Sequence, residues 1–254
     1  MARLIRDTRL LFVVHVRRTL RMPVWLIVGL FQPVCYILLF APLLKNLAGM
    51  PGFPPGGAYN VFTPGLLILM ALFGAAFAGM GVIQDLRDGV IERLRVTPVN
   101  RLALVLGMVL RDTFSLLLQS ALLIGVALLL GMTPDWGGVA LALLLLMLIG
   151  VTMASASYGM ALALKEENAM ASTVNLFALP LMLLSGIMLP LSLAPQVLQN
   201  IAKANPFFYA VEGGRAMING HFSDAAVAQA LIIFGVLAAL ALTWATRSMR
   251  KATA

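Results

Sequence analysis

The sequence predicts an all-helical integral membrane protein with six transmembrane helices. Apolar residues make up 61% of the 254 residues, charged residues make up 11%, and the mean hydropathy is +0.97, which is far above that of soluble domains. The apolar residues form continuous runs, whereas a β-barrel would show short segments of alternating polarity. Since a helix needs about 20 residues to cross the bilayer, residues 1–254 are predicted to form a single membrane domain.

The first element, residues 1–22, is predicted to be an amphipathic helix on the membrane surface. Arg3, Arg6 and Arg9 recur at every third position, further arginines follow, and leucine and valine residues can share the opposite side. A basic flank that only retains the chain at the inner leaflet is the alternative. The apolar run within this segment is too short for a signal peptide. Pro23 then separates the segment from the first span.

Six apolar runs follow, and each is long enough to cross the membrane with some tilt. They lie near residues 23–44, 61–83, 113–130, 139–164, 169–190 and 226–246. The third run is ambiguous because Arg111 and Asp112 interrupt it. A start at 102 gives 29 residues, whereas a start at 113 gives 18. We favour the start at 113, which leaves the two charges at the cytoplasmic interface as a structural ion pair.

The distribution of basic residues predicts that both termini are cytoplasmic. Lysine and arginine concentrate before the first span, in the loop 84–101, at Lys165 and in the C-terminal tail. Lys45, Lys203 and Arg215 fall on the other side. By the positive-inside rule, the net charge of +8 is therefore a signal of topology, and no soluble basic module suggests nucleic-acid binding.

Residues that carry chemistry are scarce. Cys35 is the single cysteine and is expected to pack in a helix, and His15 and His221 are predicted on opposite sides of the membrane. The sequence has no Gly-Lys-Ser/Thr phosphate loop and no pattern of clustered metal ligands. These features predict a non-catalytic chain that holds no cofactor or metal. Any energy from ATP hydrolysis is then expected to come from another polypeptide.

Neutral polar residues inside the spans are the candidates for a substrate path, although such residues more often bond to neighbouring helices. They are Gln32, Ser155, Tyr158, Ser172 and Asn175. Small residues at four-residue spacing also predict close helix packing. These are Gly74/Ala78, Ala75/Gly79 and Ser155/Gly159/Ala163.

Two connecting segments are unusual. The loop 84–101 is a long charged island in which Gly89 can end one helix and Thr97-Pro98 the next. Residues 191–225 are too apolar for a free loop and too short and broken by proline to span twice, so they predict a re-entrant helical hairpin in the outer leaflet. Glu212 and Arg215, three residues apart, are predicted to form an ion pair there.

The order of these features resembles the type 2 ABC exporter permease family, over essentially the whole chain. The resemblance is carried by Gly89-Val90-Ile91-Glu92-Arg93-Leu94-Arg95-Val96-Thr97-Pro98-Val99-Asn100-Arg101 and by the segment that begins Asn205-Pro206-Phe207-Phe208-Tyr209 and ends Glu212-Gly213-Gly214-Arg215. The family includes permeases for drugs, nodulation factors, O-antigen and teichoic acid. The resemblance implies two permease subunits, with a homodimer favoured over a heterodimer, and two ABC ATPase subunits that hold ATP and Mg.

The resemblance also assigns roles to individual positions. It implies an interface helix at 1–22 and a coupling helix in the loop 84–101 that docks on the ATPase. The implied coupling residues are Arg87, Asp88, Glu92, Arg93, Leu94, Arg95, Thr97 and Pro98. An outer gate is implied at Pro206, Phe207, Glu212 and Arg215. A solvated charged loop is the plainer interpretation of 84–101.

The resulting hypothesis is the permease subunit of an ATP-driven exporter in a bacterial inner membrane. It would move an amphipathic or lipid-linked molecule out of the cytoplasm or the inner leaflet. A non-transporting scaffold or assembly subunit and an ion-coupled small carrier are the alternatives. A channel is disfavoured because no span shows a polar or charged run that could form a ring.

Overall fold

The computed structural model describes residues 23–47, 57–89, 101–188 and 191–252, and within these ranges the chain forms helices and no strands. The helices are α1 (Pro23–Leu47), α2 (Gly57–Ala76), α3 (Met80–Arg87), α4 (Arg101–Leu129), α5 (Trp136–Leu164), α6 (Glu167–Leu183), α7 (Gln196–Ala202), α8 (Pro206–Ile218) and α9 (Ala225–Ala252), with a 3₁₀ turn at Leu191–Leu193. The predicted interface helix at 1–22 lies outside the described residues.

The all-helical class is confirmed, but the count of six spans is not. Among the described residues, four segments are long and apolar enough to cross a membrane, namely Gly57–Arg87, Leu102–Leu129, Trp136–Leu164 and Ala225–Lys251. The first predicted span corresponds to the 25-residue helix α1, which contains the apolar segment Gly29–Phe40. The fifth predicted span is the 17-residue helix α6, which ends in a turn where Gly186 has φ +75°. A left-handed turn of this kind suits glycine and stops the helix at this point.

The predicted start of the third span at residue 113 is wrong for the helix. Helix α4 begins at Arg101 and continues without a break to Leu129. Residues before the charged pair remain helical because Ala103, Val105 and Val109 are buried against neighbouring helices. Arg111 and Asp112 therefore lie in the middle of a helix, although the predicted ion pair between them is confirmed.

Helix α5 is the centre of the bundle, since it contacts α2, α3, α4, α6, α8 and α9. Two apolar cores lie along it. The larger core includes Phe62, Leu123, Leu145 and Phe234, and the smaller one includes Val82, Tyr158 and Met249. Small residues permit close approach where helices cross, and Gly159, for example, is covered by the Trp244 ring of α9.

The predicted span 61–83 is broken at residues 77–79, between α2 and α3. A side chain of α5 fills the break, because the Ser157 hydroxyl donates to the Ala76 carbonyl and accepts from the Gly79 amide at 2.8 Å. Gly79 lies so close to the α5 backbone that a side chain has no room there. The predicted small pair Ala75/Gly79 thus packs closely, and α5 supplies the hydrogen bonds that the broken helix lacks.

Candidate functional site

A cavity of about 1020 Å³ lies between α1, α2, α3, α4 and α6. This volume is at the upper end of the range for sites that hold drug-sized molecules. Its position beside α3 connects it to the helix that leads into the charged loop 84–101. The cavity is therefore a candidate binding site for a transported molecule.

Part of the cavity lining consists of uncharged polar residues. It is formed by Gln32 and Tyr36 of α1 and by Ser115 and Gln119 of α4. Gln32 donates to the Tyr36 hydroxyl at 3.2 Å, and a Cβ atom on Gly29 would lie only 2.9 Å from the Gln119 amide nitrogen. Gly29 thus lets the Gln119 amide lie directly against α1. Amides and hydroxyls offer both donors and acceptors to a ligand.

Two charges at the cavity neutralise one another. Arg111 donates from Nε to Asp112 Oδ1 at 2.7 Å and from Nη2 to the Tyr158 hydroxyl at 3.4 Å. The Tyr158 hydroxyl in turn donates to the second oxygen of Asp112. Tyr158 is fully buried, whereas Arg111 and Asp112 are partly exposed to the cavity. A charge inside a membrane bundle is retained when it is paired in this way.

The rest of the lining is mostly apolar. It includes Leu69, Met70 and Phe73 of α2, Phe77 of the break, Met108 and Leu116 of α4, and Leu179 and Met182 of α6. Methionine side chains are flexible and polarizable, so they adjust to ligands of different shape. Because the lining contains both side-chain amides and methionines, it offers polar and apolar contacts to a ligand.

The five predicted path residues are not brought together. Gln32 lines the cavity. Tyr158 is not a lining residue, but its hydroxyl donates to Asp112, which is one. Ser155 is fully buried, and its hydroxyl has no hydrogen-bond partner among the described residues. Ser172 and Asn175 are exposed on α6 and are not among the lining residues. Their role as a substrate path stays a prediction.

Most of the polar residues that line the cavity were not predicted from the sequence. Arg111, Ser115 and Gln119 recur every four residues on α4, which places them on one helical face. This spacing was visible in the sequence, but a span that starts at 113 divides the set. Gln84 and Asp85 of α3 also line the cavity. Because they fall in the segment predicted to be a charged loop, this position was not predicted.

At one end of the bundle, the described part of the charged loop contacts α6. Arg87, the last residue of α3, donates to Glu167 in the first turn of α6 at 2.8 Å. Asp88 is the C-cap residue of α3, and Gly89 follows it with φ +68°, as expected where a helix stops. The other predicted coupling residues, Glu92, Arg93, Leu94, Arg95, Thr97 and Pro98, lie outside the described residues.

At the opposite end, Arg215 joins three segments. Its guanidinium donates to the Val61 carbonyl at 3.0 Å, to the Gly186 carbonyl at 2.8 Å and to Glu212 at 2.8 Å. Arg215 is 4% exposed, and the predicted Glu212–Arg215 ion pair is confirmed. The arginine therefore holds α8 to α2 and to the turn after α6.

The other predicted gate residues form the start of α8. Pro206 is its first residue, and the Asn205 side chain caps the helix by accepting from the Phe207 amide at 3.0 Å. Phe207 is buried edge-to-face against Phe234 of α9. Segment 191–225 thus contains two short helices separated by a turn, while its depth in a membrane stays a prediction.

A second set of polar contacts at this end was not predicted. Asn60 of α2 exchanges hydrogen bonds with the Thr133 backbone at 2.9 and 3.1 Å and donates to Asn219 at 3.1 Å. These bonds join α2, the turn between α4 and α5, and the end of α8. Together with the Arg215 contacts, they join the segments at this end of the bundle by hydrogen bonds.

A helical bundle with several segments of membrane length defines the class of polytopic membrane proteins. The chain belongs to the ABC-2 type transporter family, whose pattern matches residues 6–219. Permeases of this family work with an ABC ATPase partner.

Similar proteins agree with this assignment. A transport permease ycf38 from Pyropia yezoensis is 28% identical over 230 residues, which cover 88% of this chain and 79% of the relative. Proteins of the same name from Cyanophora paradoxa and Porphyra purpurea are 25% and 28% identical. The matches cover 76% and 77% of this chain and 67% and 68% of the two relatives. These relatives come from algal plastids, so a bacterial inner membrane stays a prediction for this chain.

Proposed function

We propose that this chain is the permease subunit of an ATP-driven exporter, and that its cavity receives an amphipathic or lipid-linked cargo from the cytoplasm or the inner leaflet. The observation that carries the proposal is the cavity, whose lining combines side-chain amides with methionines, in a chain of the ABC-2 family. A separate ATPase subunit binds ATP and Mg, and this chain performs no catalysis.

Coupling to the ATPase is assigned to the loop 84–101. The segment 84–101 begins within α3, and α3 lines the cavity through Gln84 and Asp85. Movement of the loop would therefore change the cavity wall. The Arg87–Glu167 pair supports the same route, because α6 contributes Leu179 and Met182 to that wall. Helices α3 and α6 would move together, between two positions, relative to the bundle centred on α5.

The working assembly is proposed to contain two permease subunits and two ATPase subunits. Helix α6 has an apolar outer face that exposes Leu176, Phe177 and Leu183. A second permease copy or lipid can cover this face. We favour a homodimer in a bacterial inner membrane, with both termini cytoplasmic, the segment 1–22 at the membrane surface, and 191–225 as the outer gate.

The test is co-purification of the tagged permease with the ATPase subunit, together with measurement of permease-stimulated ATP hydrolysis. Glu92→Lys reverses a charge in the proposed coupling helix and is expected to abolish both capture and stimulation. Asp224→Lys, in the exposed turn at the opposite end of the bundle, is the matched control and is expected to change neither. Failure of the native permease to capture an ATPase, or indifference to Glu92→Lys, would overturn the coupling assignment.

An ion-coupled carrier is the second candidate, and the Arg111–Asp112–Tyr158 network favours it, because carriers keep ionisable groups inside the bundle. Proteoliposomes separate the two functions. The exporter requires ATP and the ATPase subunit, whereas a carrier moves cargo on a proton or sodium gradient alone. A scaffold captures its partner and shows neither activity.

A further inference from the structure

We infer that Gln119 recognises the polar part of the cargo, and that this part is a neutral group that accepts and donates hydrogen bonds side by side, as a carboxamide or a lactam does. Gly29 is the residue that positions the Gln119 amide. The inference rests on the proposed function only in naming the ligand as cargo, since it follows from the hydrogen bonds within the cavity lining.

Several polar side chains of the cavity lining already have hydrogen-bond partners within the chain. Gln32 donates to the Tyr36 hydroxyl, and Ser115 donates to the backbone carbonyl of Arg111. The Arg111 guanidinium in turn donates to Asp112. The donors of Gln32, Ser115 and Arg111 are therefore at least partly used before a ligand binds.

Gln119 is different, because its side chain has no hydrogen-bond partner among the residues that the structure describes. It is half-buried in the cavity lining, whereas Gln84, whose side chain also lacks a partner there, is exposed near the end of α3. The Gln119 amide thus has N–H donors and a carbonyl acceptor to offer. When a ligand displaces water from such an amide, each group left without a partner weakens binding, so ligands that replace those bonds are favoured.

The shape of the amide sets the chemical class of the group that it recognises. Its N–H donor and carbonyl acceptor lie on neighbouring parts of one plane, so a ligand that presents an acceptor and a donor at the same spacing forms two bonds at once. Carboxamides and lactams have this arrangement and carry no net charge, whereas a ketone can form only one of the two bonds. Apolar lining residues such as Met70, Phe73 and Met182 are available to the rest of the molecule.

Gly29 of α1 determines where this amide lies. A Cβ atom on Gly29 would lie 2.9 Å from Gln119 Nε2 and 3.4 Å from Oε1, and its three nearest heavy atoms all belong to that amide. An alanine would thus displace the flexible end of Gln119 without requiring the helix backbones to move. Gly74 and Gly81 also line the cavity, but a Cβ atom on either would meet no heavy atom within 4 Å. Alanine at these two positions is therefore the matched control for Gly29→Ala.

The experiment measures binding of pyrene-butyl probes of nearly equal shape that end in a carboxamide, a methyl ketone or an isopropyl group. The ketone lacks the donor, and the isopropyl group lacks both donor and acceptor. The permease is held in nanodiscs of neutral lipid, without ATPase or ATP, and affinities are expressed per mole fraction of probe in the bilayer. We expect the native chain to bind the carboxamide about tenfold more tightly than the ketone, and the isopropyl probe most weakly.

Variants of the two assigned residues test their roles separately. Gln119→Leu removes the amide, so the affinities for the probes should then agree within about twofold, whereas Gln229→Leu on exposed α9 should retain the native preference. Gly29→Ala should reduce the ratio of carboxamide to ketone affinity, and Gly74→Ala and Gly81→Ala should preserve it. Adding Gly29→Ala to Gln119→Leu should change nothing further, because Gly29 acts through Gln119.

A native chain that does not prefer the carboxamide would overturn the inference, as would a preference that survives Gln119→Leu. Equal loss of the preference in Gly29→Ala and in its two alanine controls would overturn the positioning role of Gly29. The preference without ATPase capture would overturn the proposed function and leave the inference intact, and ATPase capture without the preference would do the reverse.

Discussion

Arg215 shows how a single buried charge organises the end of the bundle that contains α8. Its three donor contacts go to two backbone carbonyls and one carboxylate, and each acceptor belongs to a different part of the chain. Val61 lies near the start of α2, Gly186 follows α6, and Glu212 shares α8 with the arginine. The planar guanidinium can donate hydrogen bonds in three directions at once, which a lysine ammonium does less well.

We expect Arg215→Gln to lower the stability of the permease by about 3–5 kcal/mol, because it breaks a buried ion pair and removes the guanidinium donors from two carbonyls. Arg215→Lys should be less harmful, since it keeps the charge but loses the fork of donors. Thermal unfolding in detergent measures both. Lys203→Gln, an exposed cation nearby in sequence, is the control. An unfolding midpoint of Arg215→Gln equal to that of the control would contradict this account.

Tyr158 is the residue on which the cavity charges depend. Its buried hydroxyl donates to Asp112 and accepts from Arg111. Tyr158→Phe keeps the ring and removes both bonds, with an expected cost of about 1–3 kcal/mol. Thermal unfolding should report this loss, and Tyr209→Phe, whose hydroxyl is in an exposed contact, should unfold almost as the native chain does. Loss of stability in Tyr209→Phe alone would refute the assignment.

At the scale of helices, the break between α2 and α3 separates two functions. Helix α2 is almost wholly buried and supplies apolar residues to the cavity lining, whereas α3 supplies Gln84 and Asp85 and leads to the charged loop. Ser157 bonds to both sides of the break. The break can thus serve as a hinge while its backbone groups stay satisfied inside the membrane.

Ser157→Ala is expected to destabilise the permease by about 1–3 kcal/mol, since it leaves the Ala76 carbonyl and the Gly79 amide without their partner. Permease-stimulated ATP hydrolysis should fall as well, because α3 would no longer be held in place. Unfolding in detergent and ATPase activity are the measurements. Ser172→Ala, on the exposed face of α6, is the matched control. Full stimulation with Ser157→Ala would show that the hinge is not used.

The Arg87–Glu167 pair has a different kind of effect, since the two side chains are 57% and 35% exposed. Such a pair contributes less than about 1 kcal/mol to stability. Its expected role is to move α6 with the loop, so Arg87→Glu and Glu167→Arg should each reduce permease-stimulated ATP hydrolysis. The double variant should restore it. A double variant as inactive as the single ones would separate the pair from coupling.

On the scale of the whole molecule, the bundle has two unlike ends. One end carries Arg87 and Glu167, and the other carries the Asn60 and Arg215 contacts. The positive-inside prediction places the first end in the cytoplasm. Since Cys35 is the single cysteine, Cys35→Ser gives a cysteine-free background for labelling.

In that background, Arg87→Cys should react with a membrane-impermeant maleimide only after the cells are permeabilised. His221→Cys, which lies in an exposed turn at the opposite end, should react in intact cells. Gel-shift labelling gives the readout, and an unlabelled Cys35→Ser sample sets the background. The reverse pattern would invert the topology and the direction in which the cavity opens.

The helical class could be predicted from sequence because apolar composition dictates it directly. The Glu212–Arg215 and Arg111–Asp112 pairs followed from spacing and adjacency, and both are present. The cavity could not be predicted, because it depends on which helix faces meet, and one helix start was misplaced by the charges within it. The break at 77–79 was hidden for a similar reason, since its partner Ser157 lies on another helix.

The order of synthesis gives Ser157 one more consequence. Residues 76–79 leave the ribosome well before Ser157, which follows about 80 positions later in the chain. A nascent α2–α3 segment in the translocon has no hydroxyl to cap a break, and in lipid a continuous helix is the form that satisfies its backbone. The bend is therefore acquired late, when α5 arrives, and biogenesis intermediates that end before α5 should carry a straight, membrane-stable second helix.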